Sequence, residues 1–303
     1  MKALNVLSLC DGMSCGQIAL KELGIPVNVY YSSEIEKNAI KVTRENFPLT
    51  IPLGDVTKIN EKVLTALPRI DLVMFGSPCK SLSVLTADRP EYNQGLKGKS
   101  KIFFDCMRVL NFIREYNNAN VYFLIENVIT NKENDIRIMS EMVGVEPVVI
   151  DSACFSAQER LRNYWTNIPI APLPENNTQV LKDILDDFVD SYYYYSEPIT
   201  DFDSSKRRIG TLGINGHDYI KRVYNIDYKS PTITTCRGGN HQIKVFVDGR
   251  VRKLTENEYR KLQTIPEWVQ MPVARGQVYN LCGDGWTVKV IEHILQGLKE
   301  GCL

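Results

Sequence analysis

The sequence predicts an α/β fold in which a mostly parallel sheet is wrapped by helices and followed by a smaller second domain and a closing helix. Three observations carry this expectation. Short apolar runs rich in Val, Ile and Tyr alternate with amphipathic stretches of helical length through the first half of the chain. A proline-rich break, with Pro169, Pro172 and Pro174 followed by Glu175-Asn176-Asn177, interrupts that rhythm. Helical periodicity then returns near the C-terminus.

Strands are expected at 5–9, 27–32, 72–75, 121–125 and 148–151, because each is a short apolar run bounded by turn residues. Between them, 16–23, 36–46, 61–67, 102–116 and 135–143 place apolar residues at helical spacing. After the break come Tyr192 to Tyr195, further strand-like runs and a hairpin signal, Val247-Asp248-Gly249-Arg250. The stretch from Trp286 to Leu298 has Val288, Val290, Ile291, Ile294, Leu295 and Leu298 on one stripe, suited to docking back on the first domain. The expected division is 1–168 plus 270–303 as a large domain and 169–269 as a small one.

Composition narrows the function classes. The 303 residues carry 36 basic and 36 acidic side chains, so no global field advertises a polyanionic partner and any nucleic-acid surface must come from local clustering. Eight cysteines stand without a C-x-x-C pair, and only three histidines accompany them, which argues against a zinc site. No run reaches membrane-spanning length, and the first ten residues do not read as a signal peptide, so a reducing cytoplasm is expected.

Several motifs sit at strand ends, where open α/β sheets bind ligands. The first strand runs into Asp11-Gly12-Met13-Ser14-Cys15-Gly16, a loop whose glycines permit close backbone approach. Glu34 ends the second strand, the position that hydrogen-bonds ribose hydroxyls in nucleotide-binding folds, and Asp55 follows in Gly54-Asp55-Val56. Gly76-Ser77-Pro78-Cys79 puts a thiol after a buried strand, with Pro78 fixing the turn before it. Glu126-Asn127-Val128 brings a carboxylate to the same sheet edge, so Cys79 and Glu126 form a candidate nucleophile and acid pair. In Gln158-Glu159-Arg160-Leu161-Arg162 the two arginines are two apart, which on a strand gives them one face.

In this order the motifs resemble those of the cytosine-C5 DNA methyltransferases over nearly the whole chain. Pro231-Thr232-Ile233-Thr234 and Gly283-Asp284-Gly285 through Val288 resemble the family's last two motifs. The first motif is similar to the animal de novo branch, whereas the segment 247–254 is closer to bacterial modification enzymes, so a prokaryotic or phage enzyme in a bacterial or phage-infected cytoplasm is expected. The resemblance implies a Rossmann-like S-adenosylmethionine-dependent sheet with a smaller target-recognition domain. It implies S-adenosylmethionine held by Cys10, Asp11, Gly12, Ser14, Gly16, Glu34, Asp55, Val56, Pro78, Asp284 and Trp286, and no metal. It implies catalysis by Cys79, Glu126, Arg160 and Arg162, with Cys79 adding to C6 of a flipped cytosine, Glu126 bonding N3 and Arg162 holding the O2 edge.

Double-stranded DNA is the implied partner, with Ser83, Leu85, Lys99, Arg237, Gly238, Asn240 and His241 as contacts. The loop 80–101 with Lys97, Lys99 and Lys101 reads as a catalytic lid, and Arg207, Arg208, Lys221, Arg222, Arg237, Arg250 and Arg252 read as a phosphate-contacting set. A cognate restriction enzyme fits a modification enzyme as a further partner. The chain departs from the family pattern at Cys10 (usually Phe), Lys80 (usually Gln or Asn) and Asp284 (usually Asn), which bears on cofactor affinity. The alternatives are a transfer-RNA cytosine methyltransferase on the same scaffold, a silent DNA-binding homologue, and an unrelated redox protein using Cys79.

Overall fold

The computed structural model describes residues 2–78, 96, 101–130, 133–175 and 177–300. The chain divides into two compact units. The first comprises 1–150, 161–172 and 291–303, and the second 151–160 and 173–290. Residues 151–160 and 270–290 thus belong to the second unit, whereas the sequence groups them with the large domain.

The first unit is built on a seven-stranded sheet. Its strands are β1 (Leu4–Leu9), β2 (Val27–Ser33), β3 (Ile51–Pro52), β4 (Leu72–Gly76), β5 (Tyr122–Val128), β6 (Val148–Asp151) and β7 (Leu161–Thr166), in spatial order β3-β2-β1-β4-β5-β7-β6. The pairs from β3 through β5 are parallel, and β7 runs antiparallel to β5. Parallel strands need covered faces, which is why the central strand β4 is apolar throughout, with Leu72, Val73, Met74 and Phe75 fully buried. The crossovers are α1 (Cys15–Glu22), α2 (Lys37–Asn46), α3 (Glu61–Thr65), α4 (Ile102–Phe112) and α5 (Glu133–Val143). Glu36 caps α2 by accepting from the Ala39 N–H at 2.6 Å, and Asn60 caps α3 through Val63. Phe103, Met107 and Leu110 of α4 pack with Val73, Phe75 and Ile125 in one buried cluster.

Strand order reverses between β2 and β4 on either side of β1, so the crevice at the carboxyl ends of β1 and β4 is the expected ligand position in such a sheet. The loops 10–14 and 77–78 leave the sheet there. Two expectations shift in register. The β5 strand runs on through Glu126 to Val128, because antiparallel pairing with β7 supplies partners for those residues. Helix α4 is shorter than the periodicity suggests and passes into a π-turn, Ile113–Asn117.

The second unit holds a five-stranded sheet of β8 (Ile199–Thr200), β9 (Arg208–Leu212), β10 (Arg222–Tyr224), β11 (Lys244–Val247) and β12 (Arg250–Lys253), in order β12-β11-β10-β9-β8. Its hairpin between β11 and β12 turns at Asp248 and Gly249, both with positive φ (50° and 77°), the conformation that Asp-Gly tolerates. Beside this sheet lie the α-helices α6 (Asp218–Lys221), α7 (Glu256–Leu262) and α8 (Arg275–Asp284), with short 3-10 turns in the connecting segments. Thr255 and Glu258 form a capping box on α7. On α8, Gly276 and Gly283 share a face; a Cβ at Gly276 would lie 2.4 Å from the Arg237 carbonyl oxygen, and one at Gly283 would lie 2.5 Å from Thr234 backbone. Only glycine lets the 234–237 main chain lie so close to this helix.

The last helix, α9 (Val288–Glu300), buries the six apolar positions that its sequence stripe singles out. Within the first unit, its Gly297 lies against the Pro169 carbonyl, its His293 Nε2 is 3.0 Å from the Ala171 carbonyl oxygen, and Lys299 donates to the Leu23 carbonyl. Among the described residues no helix is long and apolar enough to cross a membrane.

Candidate active site

The loop after β1 is wound tightly. Cys10, Gly12 and Ser14 all have positive φ, of 50°, 58° and 62°. Its shape is held by Asp11, whose buried carboxylate accepts hydroxyl bonds from Tyr30 (2.8 Å), Ser32 (2.8 Å) and Ser14. Burial pushes the Asp11 carboxyl above the usual range, against those hydroxyl donors. Ser14 also bonds Thr43 of α2 at 3.0 Å, and Gly16 is buried in α1. Asp11 and Ser14 thus face the protein and shape the loop.

Glu34 closes the loop from β2. Its Oε2 accepts from the Gly12 N–H at 2.7 Å, while Oε1 accepts from the N–H groups of Ile35 (2.7 Å) and Glu36 (2.8 Å). Ile35 beside it is 69% exposed, a large apolar side chain left open next to a fixed carboxylate. Asp55, after β3, takes the Thr57 hydroxyl (2.8 Å) and N–H (2.9 Å) on Oδ1, and these bonds hold its carboxyl below the usual range. Val56 is buried in the short turn that follows. Cys10 turns its sulfur toward α4, with Sγ 3.9 Å from Cys106 Sγ.

At the end of β4, Gly76 is the register partner of Glu126 on β5. Arg162 on β7 lies diagonal to Glu126 across the β5–β7 pair, on the same face, and its Nε is 3.1 Å from Glu126 Oε1. Both side chains are mostly buried, at 14% and 12% exposed, so the pair is fixed rather than solvated. Asn127, 1% exposed, points the other way and donates from Nδ2 to Ser77 Oγ at 3.1 Å, with Ser77 O at 3.4 Å. It thereby pins the Ser77-Pro78 turn from which the chain enters Cys79; Pro78 itself is exposed. Cys79, Ser83, Leu85 and Lys99 lie outside the described residues.

The two arginines of 158–162 do not share a strand face. Arg160 precedes β7 and belongs to the second unit, where its guanidinium, 4% exposed, donates to the carbonyls of Ile233, Gly283 and Gly285, each at 3.0 Å. Gln158 Oε1 accepts from the Ile233 N–H at 2.8 Å, so both side chains grip one peptide segment. Asp284, at the end of α8, accepts from the Thr235 hydroxyl at 2.6 Å, and Trp286 two residues on is half-buried. These residues tie 232–235 to 283–286.

In the same unit, Arg237 and His241 are exposed, and Gly238 (φ 97°) and Gly239 (φ 73°) carry the chain through a tight turn to Asn240. Of the remaining cationic set, most members already have partners. Arg207 pairs with Glu159 at 2.6 Å, Arg208 and Arg222 share Asp218, and Arg252 is buried in a bidentate pair with Glu258 at 2.6 and 2.8 Å. Of these four only Arg252 is buried; Arg207, Arg208 and Arg222 stay 35–41% exposed within their surface pairs.

The parallel sheet, with its order reversing about β1 and a glycine loop leaving the carboxyl end of that strand, defines a Rossmann-like α/β class. The model of the family C-5 cytosine-specific DNA methylase matches residues 4–300, and the chain belongs to that family. It is 26% identical over 299 residues to the orphan methyltransferase M.SPRI of Bacillus phage SPR, covering 81% of this chain and 67% of that protein. It is 26% identical over 332 residues to the orphan methyltransferase M.SPBetaI of Bacillus phage SPbeta, covering 81% and 74%. Its fold matches the Dnmt2 methyltransferase of S. pombe with a TM-score of 0.68 at 19% identity, over 98% of this chain and 99% of that one. The Entamoeba histolytica methyltransferase EhMeth matches at 0.67 with 15% identity, over 99% of both chains.

Proposed function

We propose that this chain transfers a methyl group from S-adenosylmethionine to C5 of a cytosine flipped out of double-stranded DNA, through a covalent bond to Cys79. The observation that carries this is the Glu126–Arg162 pair, fixed at 3.1 Å, with Glu126 on β5 beside the strand that leads into Cys79 and Arg162 on β7, the next strand out. The cofactor fits the residues present. Glu34, already anchored through three N–H groups, offers its remaining lone pairs to a ribose diol, open Ile35 offers an apolar face to a purine, and Asp55 has Oδ2 available for an exocyclic amine. When bound, S-adenosylmethionine supplies an electrophilic methyl group.

Cytosine C5 is a poor nucleophile until the ring is broken out of conjugation. The Cys79 thiolate adds to C6, so that the C5–C6 π electrons become available at C5. Glu126 holds a proton at N3 and neutralises charge that develops there, while Arg162 fixes Glu126 and presents its remaining donors to the O2 edge. Loss of the C5 proton to water and expulsion of the thiolate restore the ring. Arg160 acts at a distance by holding 232–235 and 283–286 together. The target base must leave the stack at a cost of a few kcal/mol, and Arg237, Gly238, Asn240 and His241 are assigned to reading the duplex.

Bisulfite sequencing of DNA from cells expressing the chain tests this. Methylated cytosines in one sequence context are expected. Methylcytosine in RNA with none in DNA would reject DNA as the substrate.

A further inference from the structure

The run Tyr192-Tyr193-Tyr194-Tyr195 is not used by the chemistry above, and the structure gives it a task. Tyr195 is anchored along β12, its N–H donating to the Val251 carbonyl at 2.9 Å, with Tyr194 bridged to Arg252. In the neighbouring β11–β12 pair, Lys244 and Lys253 are register partners, two like charges directly opposed. Each ammonium is seated on tyrosine: Lys253 Nζ is 3.7 Å from the Tyr192 ring centroid, and Lys244 Nζ is 5.7 Å from that of Tyr195.

Lys244 is 1% exposed, so its amine cannot reach DNA. Its donors go instead to the carbonyls of Asn240 at 2.6 Å and Gln242 at 3.1 Å, which bracket His241. The Tyr195 hydroxyl donates to Asn240 Oδ1 at 2.9 Å, gripping the same residue by its side chain. A turn that passes through two left-handed glycines has little rigidity of its own. Three bonds from two side chains behind the turn supply it.

We propose that Lys244 and Tyr195 are positioning residues for target recognition: they clamp the turn 238–242 from inside, and so set how Arg237, Asn240 and His241 meet DNA bases. This rests on the reading that the turn contacts DNA. Because the clamp acts on geometry before the encounter, its loss should fall on discrimination and on KM for DNA, with kcat falling less than either.

The clamp also has a pH signature. Burial and the facing Lys253 push the Lys244 amine down to about 8, with Cys236 opposing. Deprotonation leaves an uncharged donor, weakening both carbonyl bonds and the contact with the Tyr195 ring.

The test is a methylation profile on a randomised DNA library, with KM and kcat on the preferred site, for Tyr195→Phe, Lys244→Met, Lys244→Arg, Asn240→Ala and His241→Ala. Tyr195→Phe removes one hydrogen bond at constant shape and should lower discrimination about fivefold. Lys244→Met should lower it on the order of ten- to a hundredfold at the position that Asn240→Ala also relaxes, with partial rescue by Lys244→Arg. Wild-type discrimination should decline above pH 8, and that of Lys244→Met should not. If Asn240→Ala relaxes the profile while Tyr195→Phe and Lys244→Met leave it intact, the clamp is wrong and the recognition turn stands. If neither Asn240→Ala nor His241→Ala alters the profile, the turn does not read DNA and the clamp falls with it. Should Lys244→Met fail to fold, Tyr195→Phe decides alone.

Discussion

Replacing Arg160 by Met separates a positioning role from a catalytic one. Methionine retains an apolar stem of similar reach and removes the guanidinium, which donates to three carbonyls inside the second unit. Gly285 keeps a donor, because Gln263 Nε2 also bonds its carbonyl at 3.0 Å. Ile233 and Gly283 lose theirs. A buried carbonyl left unpaired costs about 1–3 kcal/mol, so Arg160→Met should lose about 2–6 kcal/mol of unfolding free energy. Against a total of about 5–15 kcal/mol for an ordinary domain, that is a large fraction. Urea denaturation of both proteins, followed by tryptophan fluorescence, measures it. Activity at low temperature, where the variant stays folded, should fall less than for Glu126→Gln. A variant that loses under about 1 kcal/mol of stability yet has no single-turnover methylation would refute the positioning role and place Arg160 on the substrate.

Four further outcomes follow from the same geometry. Glu126→Gln should slow single-turnover methylation at saturating DNA and cofactor, because an amide cannot deliver the proton to N3; an unchanged rate would reassign Glu126 to structure. Asn127→Ala frees the Ser77 turn and leaves a buried hydroxyl without its donor, so rapid-quench kinetics should show a slower chemical step, together with a stability loss of about 1–3 kcal/mol. Between pH 8 and the ordinary lysine value, the unfolded chain binds the Lys244 proton that the folded chain has released. Stability should therefore rise with pH there, by up to about 3 kcal/mol, and the wild-type minus Lys244→Met difference in denaturation midpoints should carry that slope. Cys10→Phe should tighten S-adenosylmethionine severalfold by calorimetry, an aromatic contact contributing about 0.5–1.5 kcal/mol; weaker binding by a folded variant would mean that Cys10 does not stand at an aromatic wall.

The first unit was largely legible because its signals are local. Parallel strands buried on both faces read as continuous apolar runs, and Glu34 follows directly on the end of β2, whereas Glu126 lies inside β5, one residue beyond the apolar run 121–125 that predicts the strand. The two arginines show where that logic stops. Spacing two apart implies one face only if both lie on one strand, and β7 begins at Leu161. Arg160 is drawn instead to carbonyls more than seventy residues away, which no local pattern encodes. Likewise Asn127 was visible only as the middle of a motif; that it pins Ser77 depends on β4 and β5 being neighbours. The basic residues of the small domain read as one polyanion-binding set, but charge counting cannot see that Glu258 buries Arg252 while Arg207 and Arg208 keep exposed surface pairs. Lys244 was hidden for the converse reason. A lysine at a strand start reads as solvated, but β11 lies between β12 and β10 and the Tyr195 ring packs against the amine.

The central claim is the covalent bond between Cys79 and C6 of the target base. DNA carrying 5-fluorocytosine at the preferred site tests it most directly, because fluorine cannot leave C5 as a proton does and elimination stalls. With S-adenosylmethionine present, the wild-type protein should form an adduct that survives denaturation, and mass spectrometry of the digest should place it on the peptide containing Cys79. Cys79→Ser should bind the same DNA and form none. Turnover of ordinary DNA by Cys79→Ser, or a wild-type adduct mapped to another cysteine, would contradict the account.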